Sequence, residues 1–268
     1  MQELSFIREQ DASGQTAALF DDIRSTMGIA TANLIWRHLA TMPGAAQSAW
    51  ASAKPLYQSG RVVPAATQLA HQISLASVAP WNASTLHDCI GQAASVADVD
   101  AVIATYNRGN ALNLVALKAL TATPANGDDG IAAPPLEVPS RSLPAVPELD
   151  ELPTTSVECV LRLNRYGTPP DSPDLVATLY KHLAHWPAFL TLVDEWLAPM
   201  ADDGSLDALI AATAAAADRQ ATQLAATLDE PVELTVEART AIDAFVRAAI
   251  VRMLPIGLML RSKLAYRA

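Results

Sequence analysis

Residues 34–43 read Leu-Ile-Trp-Arg-His-Leu-Ala-Thr-Met-Pro, and residues 178–187 read Thr-Leu-Tyr-Lys-His-Leu-Ala-His-Trp-Pro. Arg37 stands opposite Lys181, His38 opposite His182, Leu39 opposite Leu183, Ala40 opposite Ala184 and Pro43 opposite Pro187, and the aromatic Trp36 meets Tyr180. A nearly equal offset sets Asp100-Ala101 against Asp243-Ala244 and Leu117-Lys118 against Leu260-Arg261. The pattern predicts two tandem copies of one helical unit. Repeats this long exceed a solenoid unit. Two copies make a pseudo-dimer with an approximate two-fold axis, and the surface between them is the natural place for a pocket.

Apolar spacing extends the helical reading over the chain. The first half predicts helices at about 15–27 (capped by Ser13), 32–41, 45–59 (anchored by Trp50) and from Pro64 to before Pro80. Asn82 and Ser84 are cap candidates for a fifth, and Ser95 for a long last helix that Gly109 should weaken or kink. The second half predicts helices at about 156–166, 175–184, 187–200, 206–228 and 235–264, the last kinked at Pro255. No stretch shows sustained period-2 alternation, so the expected class is all-α without a sheet. Between the halves, prolines at 124, 134, 135, 139, 144, 147 and 153 flank Gly127-Asp128-Asp129-Gly130. That composition predicts an extended linker. The expected organisation is 1–122 first repeat, 123–154 linker and 155–268 second repeat.

Composition fits this reading. Half of the 268 residues are hydrophobic (51%), which is ample for a core. Alanine is abundant and aromatics are only 5%, a bias toward closely packed helices. The formal charge of −10 opposes phosphate backbones and anionic lipid surfaces, so neither nucleic acid nor membrane is an expected partner. The most apolar stretch, 248–260, is broken by Arg252 and Pro255 and falls short of the roughly 20 residues that span a bilayer. The beginning of the chain has no charged n-region followed by an apolar run, and Cys89 and Cys159 lie far apart without C-x-x-C or zinc spacing. The expectation is a cytoplasmic protein with two reduced cysteines and no disulfide. A homodimer is left open.

Three segments resemble one family. They are Thr31 to Gly44 (T-A-N-L-I-W-R-H-L-A-T-M-P-G), Tyr106 to Leu120 (Y-N-R-G-N-A-L-N-L-V-A-L-K-A-L) and His185 to Ala201 (H-W-P-A-F-L-T-L-V-D-E-W-L-A-P-M-A). Together with Asp22-Ile23-Arg24, they are similar to the group I 2-haloacid dehalogenases, across nearly the whole chain including the linker. The resemblance implies an all-helical pseudo-dimer with its site between the repeats. It implies a hydrolase without metal or cofactor that cleaves a carbon–halogen bond by direct attack of water on either hand of a 2-haloacid. In that family an aspartate near the start of the second repeat's second helix activates the water, and an asparagine of the first repeat's long helix holds it.

Carried onto this chain, the asparagine is Asn110. The aspartate position, seven before Trp186, is Leu179. Thr31 and Asn113 stand where the family can carry a tryptophan and a tyrosine. Asp174 lies in the same region but reaches the aspartate position only through a five-residue shift. General-base help is worth about 10²–10⁴ in rate, and leucine cannot accept a proton. The expectation is therefore a divergent active site. The alternative is a non-catalytic or differently specific small-molecule-binding protein of the same fold.

Other residues are open to both readings. Asn33 and Arg37 lie one turn apart on one helix, as do Asn110 and Asn113, and Arg108 is near. With Leu34 and Thr178 they could line a pocket for a small carboxylic acid, an arginine gripping the carboxylate bidentately. Equally, they could be buried polar groups with structural partners. His38 and His182 could supply a base, although their presence in both copies suits a structural role. Asp194-Glu195 reads as a solvated face. The histidines show no H-x-x-x-H or H-E-x-x-H spacing, so no metal site is expected. The sequence also lacks a P-loop, a dinucleotide fingerprint and a nucleophile elbow.

Overall fold

The structure is a computed structural model that describes residues 4–73, 78–125, 136, 138, 141–170, 172, 175–228 and 232–264; of Ala93 and Ala94 only the backbone is described. Among the described residues the regular elements are all helical. The first half holds α1 (Gly14–Met27), α2 (Leu34–Leu39), α3 (Ala45–Gln58), α4 (Val62–Gln72), α5 (Ala83–Ile90) and α6 (Ala93–Ala119). The second holds α7 (Thr154–Arg165), α8 (Thr178–Leu183), α9 (Pro187–Asp202), α10 (Ser205–Ala225), α11 (Val236–Ala244) and α12 (Ile250–Leu264). A π-helical turn, Phe245–Ala249, joins α11 to α12. The start of the linker and the Gly127–Gly130 stretch lie largely outside the described residues. From residue 141 the linker is described, with one short turn at Leu149–Glu151.

Local chemistry explains several boundaries. Gly28 ends α1 with φ 62°, and Asn82 caps α5 by accepting from the Thr85 N–H at 2.7 Å. Two expectations need correction. Ser95 lies inside α6, which begins after Gln92. The segment 175–177 is extended, so α8 starts at Thr178. Gly109 sits within α6, and the side chain of Asn33, just before α2, packs against its bare Cα. The irregularity near the end of the chain falls at the π-turn, while α12 runs on through Pro255.

The framework is the antiparallel pair of α6 and α12. Near one end Arg261 bonds Asp100 at 3.0 Å, and farther along Asn107 lies against Gly257. From Val99 to Leu120 nearly every side chain of α6 is buried, as expected of a helix surrounded on all faces. Two apolar cores form around this pair, and neither follows the sequence halves. One joins α1–α4 and the second half of α6 to α10, α11 and the start of α12. The other joins α5 and the first half of α6 to α7–α9 and the end of α12. The two halves of the chain are thus interdigitated through their long helices.

Four cations are buried, Arg37, Arg108, Lys181 and Arg252. Arg108 of α6 donates to the carbonyls of Met27, Gly28 and Leu136 at 3.0–3.1 Å, tying down the end of α1. Arg252 of α12 donates to the carbonyls of Asn164 at 2.7 Å and Tyr166 at 3.3 Å, at the end of α7. The two contacts are alike in kind. Each satisfies carbonyls that a helix end leaves unpaired.

Candidate functional site

Between the halves lies a small cavity of about 50 Å³. From the first half it is lined by Asn33, Leu34 and Ile35 at the start of α2 and by Tyr106 and Asn110 of α6. From the second half come Leu175, Ala177, Thr178 and Leu179, then Phe245, Ala249, Ile250 and Met253. The π-turn widens the helix where it carries Phe245 and Ala249 to the wall. Such turns recur at functional sites.

Each wall has a support. Gly109 lets Asn33 come close, since a methyl there would fall 2.5 Å from Asn33 Nδ2. Asn33 also accepts from Asn113 Nδ2 at 2.8 Å. On the opposite wall, Asn164 donates to the Leu175 carbonyl at 2.8 Å and accepts from the Ala177 N–H at 2.9 Å, and Arg252 donates to the same Asn164 side chain at 3.2 Å. The extended segment before α8 is therefore held by a half-buried amide that is itself held by α12.

The structure brings together five of the residues expected from sequence: Asn33, Leu34, Asn110, Thr178 and Leu179. Asn110 is half-buried, and among the described residues its amide has no protein partner. Thr178 Oγ1 is buried without one. These two groups are free to bind something in the cavity. Leu179 is 2% exposed and closes the wall with hydrocarbon.

Three expected residues are placed elsewhere. Asn113 is fully buried and accepts from Trp36 Nε1 at 3.1 Å and Tyr57 OH at 2.9 Å, so its oxygen serves the core. The Thr31 hydroxyl donates to Glu9, whose other oxygen holds Arg24. Arg37 points away to the ring of Phe6, 5.0 Å from its centroid. The residue at 174 lies outside the described residues. Asp194 corrects the solvated-face reading: it is buried, and accepts from Arg162 at 2.6 Å and from Tyr166 OH at 2.9 Å.

Sequence reading missed Tyr106 as a wall residue. Its hydroxyl lies 3.2 Å from His182 Nδ1, so one histidine of the repeated pair sits directly behind the pocket. The other, His38, bonds the Ser5 carbonyl and stacks on Phe245 from outside. Burial, with the neighbouring His185 adding to it, lowers the His182 pKa to about 4 against a slight opposing pull from the Pro144 carbonyl. Burial pushes the Tyr106 hydroxyl far the other way. Proton transfer from that tyrosine to that imidazole is steeply uphill, so the pair is a poor base. Among the described residues the lining holds no carboxylate and no imidazole, and no group of side chains is arranged to hold a metal.

No protein-family model and no curated protein matches the chain. Solved structures do. A D-2-haloacid dehalogenase mutant in complex with D-2-CPA superposes with a TM-score of 0.71 at 17% identity, covering 98% of this chain and 96% of that one. A D-2-haloacid dehalogenase with L-LA gives the same values, and a further mutant a TM-score of 0.69 at 17% identity over 97% and 94%. Over nearly its whole length, this chain has the all-helical fold of the D-2-haloacid dehalogenases.

Proposed function

We propose that this chain binds a small, largely apolar organic molecule in the pocket between its halves, and that it does not hydrolyse 2-haloacids by the general-base route. The observation that carries this reading is Leu179. It occupies the wall beside Thr178 and faces the same cavity as Asn110, and among the described residues no proton acceptor replaces the carboxylate it displaces. Water held by Asn110 alone would lack the base that such an attack needs within hydrogen-bond reach. The free Asn110 amide, the free Thr178 hydroxyl and the Asn33 amide suit one or two polar groups on an otherwise apolar ligand. A short carboxylic acid meets that description. The reading treats the chain as a two-copy helical pseudo-dimer that needs no metal or cofactor, in which the matched ends of α1 and α7 under Arg108 and Arg252 support the equivalence of the copies.

The test is halide release from both hands of 2-chloropropionate, with ligand binding followed in parallel by calorimetry using propionate. The expected result is binding to the folded protein without release above buffer. Leu179→Asp restores a carboxylate beside Thr178 and is expected to bring release with it. Release by the unaltered protein that Asn110→Ala abolishes would overturn the reading and restore a dehalogenase.

A further inference from the structure

Of the four buried cations, three have acceptors. Arg108 and Arg252 hold helix-end carbonyls, and Lys181 bonds Glu148 Oε2 at 2.7 Å. Arg37 is only 8% exposed, its Nε is fully buried without a partner, and among the described residues no protein acceptor bonds its guanidinium. The nearby carboxylates are committed elsewhere. Glu148 is engaged by Lys181, and Glu9 by Arg24, the Thr31 hydroxyl and the Ala32 N–H. Over the arginine lies Phe6, whose ring has Arg37 at 5.0 Å and Lys181 at 5.2 Å. The segment around Phe6 is fastened to α2 by the Ile7 N–H on the Arg37 carbonyl at 3.1 Å and by the Ser5 carbonyl on His38 Nδ1 at 2.7 Å.

A guanidinium so desolvated normally ends on a carboxylate, carbonyl or phosphate. Attraction to the face of one phenyl ring offsets only part of the cost of burying it. We propose that Arg37, under Phe6, anchors a binding site for a small monovalent anion, a halide or a short carboxylate. Burial destabilises the charged form of this guanidinium, and Tyr106, Glu9 and Glu148 compensate only in part. An anion in bidentate reach supplies what the protein does not. The site is separate from the cavity, since Arg37 does not line it while Tyr106 does. It therefore stands or falls independently of the pocket's ligand.

Chloride NMR line broadening on the full chain tests this. An acidic chain of net charge −10 repels chloride in general, so excess broadening reports a specific site. At constant ionic strength the broadening is expected to saturate, to be displaced by formate and to resist a bulky sulfonate. Arg37→Met, shown folded by circular dichroism, is expected to lose it, and Arg239→Met to keep it. Glu148→Gln removes a negative charge beside the site, so it is expected to tighten binding by roughly tenfold. Absent broadening in the unaltered protein, equal displacement by the sulfonate, or broadening that persists in Arg37→Met overturns the proposal. If Arg37→Met does not fold, unchanged or weaker binding in Glu148→Gln overturns it instead.

Discussion

Asn113 makes three side-chain hydrogen bonds at zero exposure, to Trp36, Tyr57 and Asn33. Truncation to alanine would strand two buried donors and loosen the amide that forms part of the pocket wall. Each stranded buried group costs about 1–3 kcal/mol. Asn113→Ala is expected to lose roughly 3 kcal/mol or more in urea unfolding. His182 gives a second prediction, with a definite sign. Its folded pKa of about 4 lies below the 6.5 of a free imidazole. Above pH 6.5 both states are neutral and the contribution is complete. As pH falls from 6.5 toward 4 the unfolded chain takes a proton that the folded one refuses, and stability drops by an amount on the order of 3 kcal/mol. His182→Gln should flatten the stability slope between pH 6.5 and 5, before most carboxylates titrate. A slope identical to that of the unaltered protein would show that other groups carry it. At this scale the sequence could flag Asn33, Asn110, Thr178 and Leu179 by position. It could not tell that Asn113, one turn beyond Asn110, turns to two aromatics from α2 and α3. That depends on which helices the other face of α6 meets.

At the scale of elements, α6 approaches its neighbours through glycine. A methyl on Gly257 of α12 would fall 1.9 Å from Asn107 Oδ1, and one on Gly109 of α6 would fall 2.5 Å from Asn33 Nδ2. Both glycines have ordinary helical φ, so alanine would favour the helix by about 0.5–1 kcal/mol were there space. There is none without displacing a buried amide. Gly257→Ala is expected to destabilise by about 1–3 kcal/mol. Asn107→Ala in the same chain should recover most of that loss, because Asn107 has both side-chain atoms unbonded and little to surrender. A double-mutant cycle in urea measures the coupling, and additive losses would refute a direct clash. Helix existence was legible because apolar period and glycine or proline stops are local. The π-turn was not. A helix absorbs an extra residue when packing on both sides fixes its ends, and here Phe245 and Ile250, at either end of the turn, both reach the pocket wall. Pro255, a local signal, lies within α12 and beyond the π-turn, so it could not mark that turn.

At the scale of the whole molecule, the two cores make the halves mutually dependent. In residues 1–122 alone, the buried faces of α4 and α6 would lose α10, α11 and the start of α12, and the first half of α6 would lose α8 and the end of α12. Leu112, Leu114, Val115 and Leu117, all at 0–1% exposure in the full chain, lie on that helix. Fully burying one such side chain is worth about 1.5–3 kcal/mol, so exposing several is comparable to the roughly 5–15 kcal/mol by which a domain is stable. The matched motifs at 34–43 and 178–187 suggested two units side by side. They could not show that the long helix of each half of the chain crosses into the other half's core, since the partner of a wholly apolar helix is not written in its own periodicity. The expected outcome is that residues 1–122 fail to unfold cooperatively on their own, whereas co-expression with residues 141–268 yields a complex with one cooperative transition. Size-exclusion chromatography with calorimetry reads both arms. Cooperative unfolding of the isolated first half would mean that its core closes on itself, and that the pocket lies between two independent units.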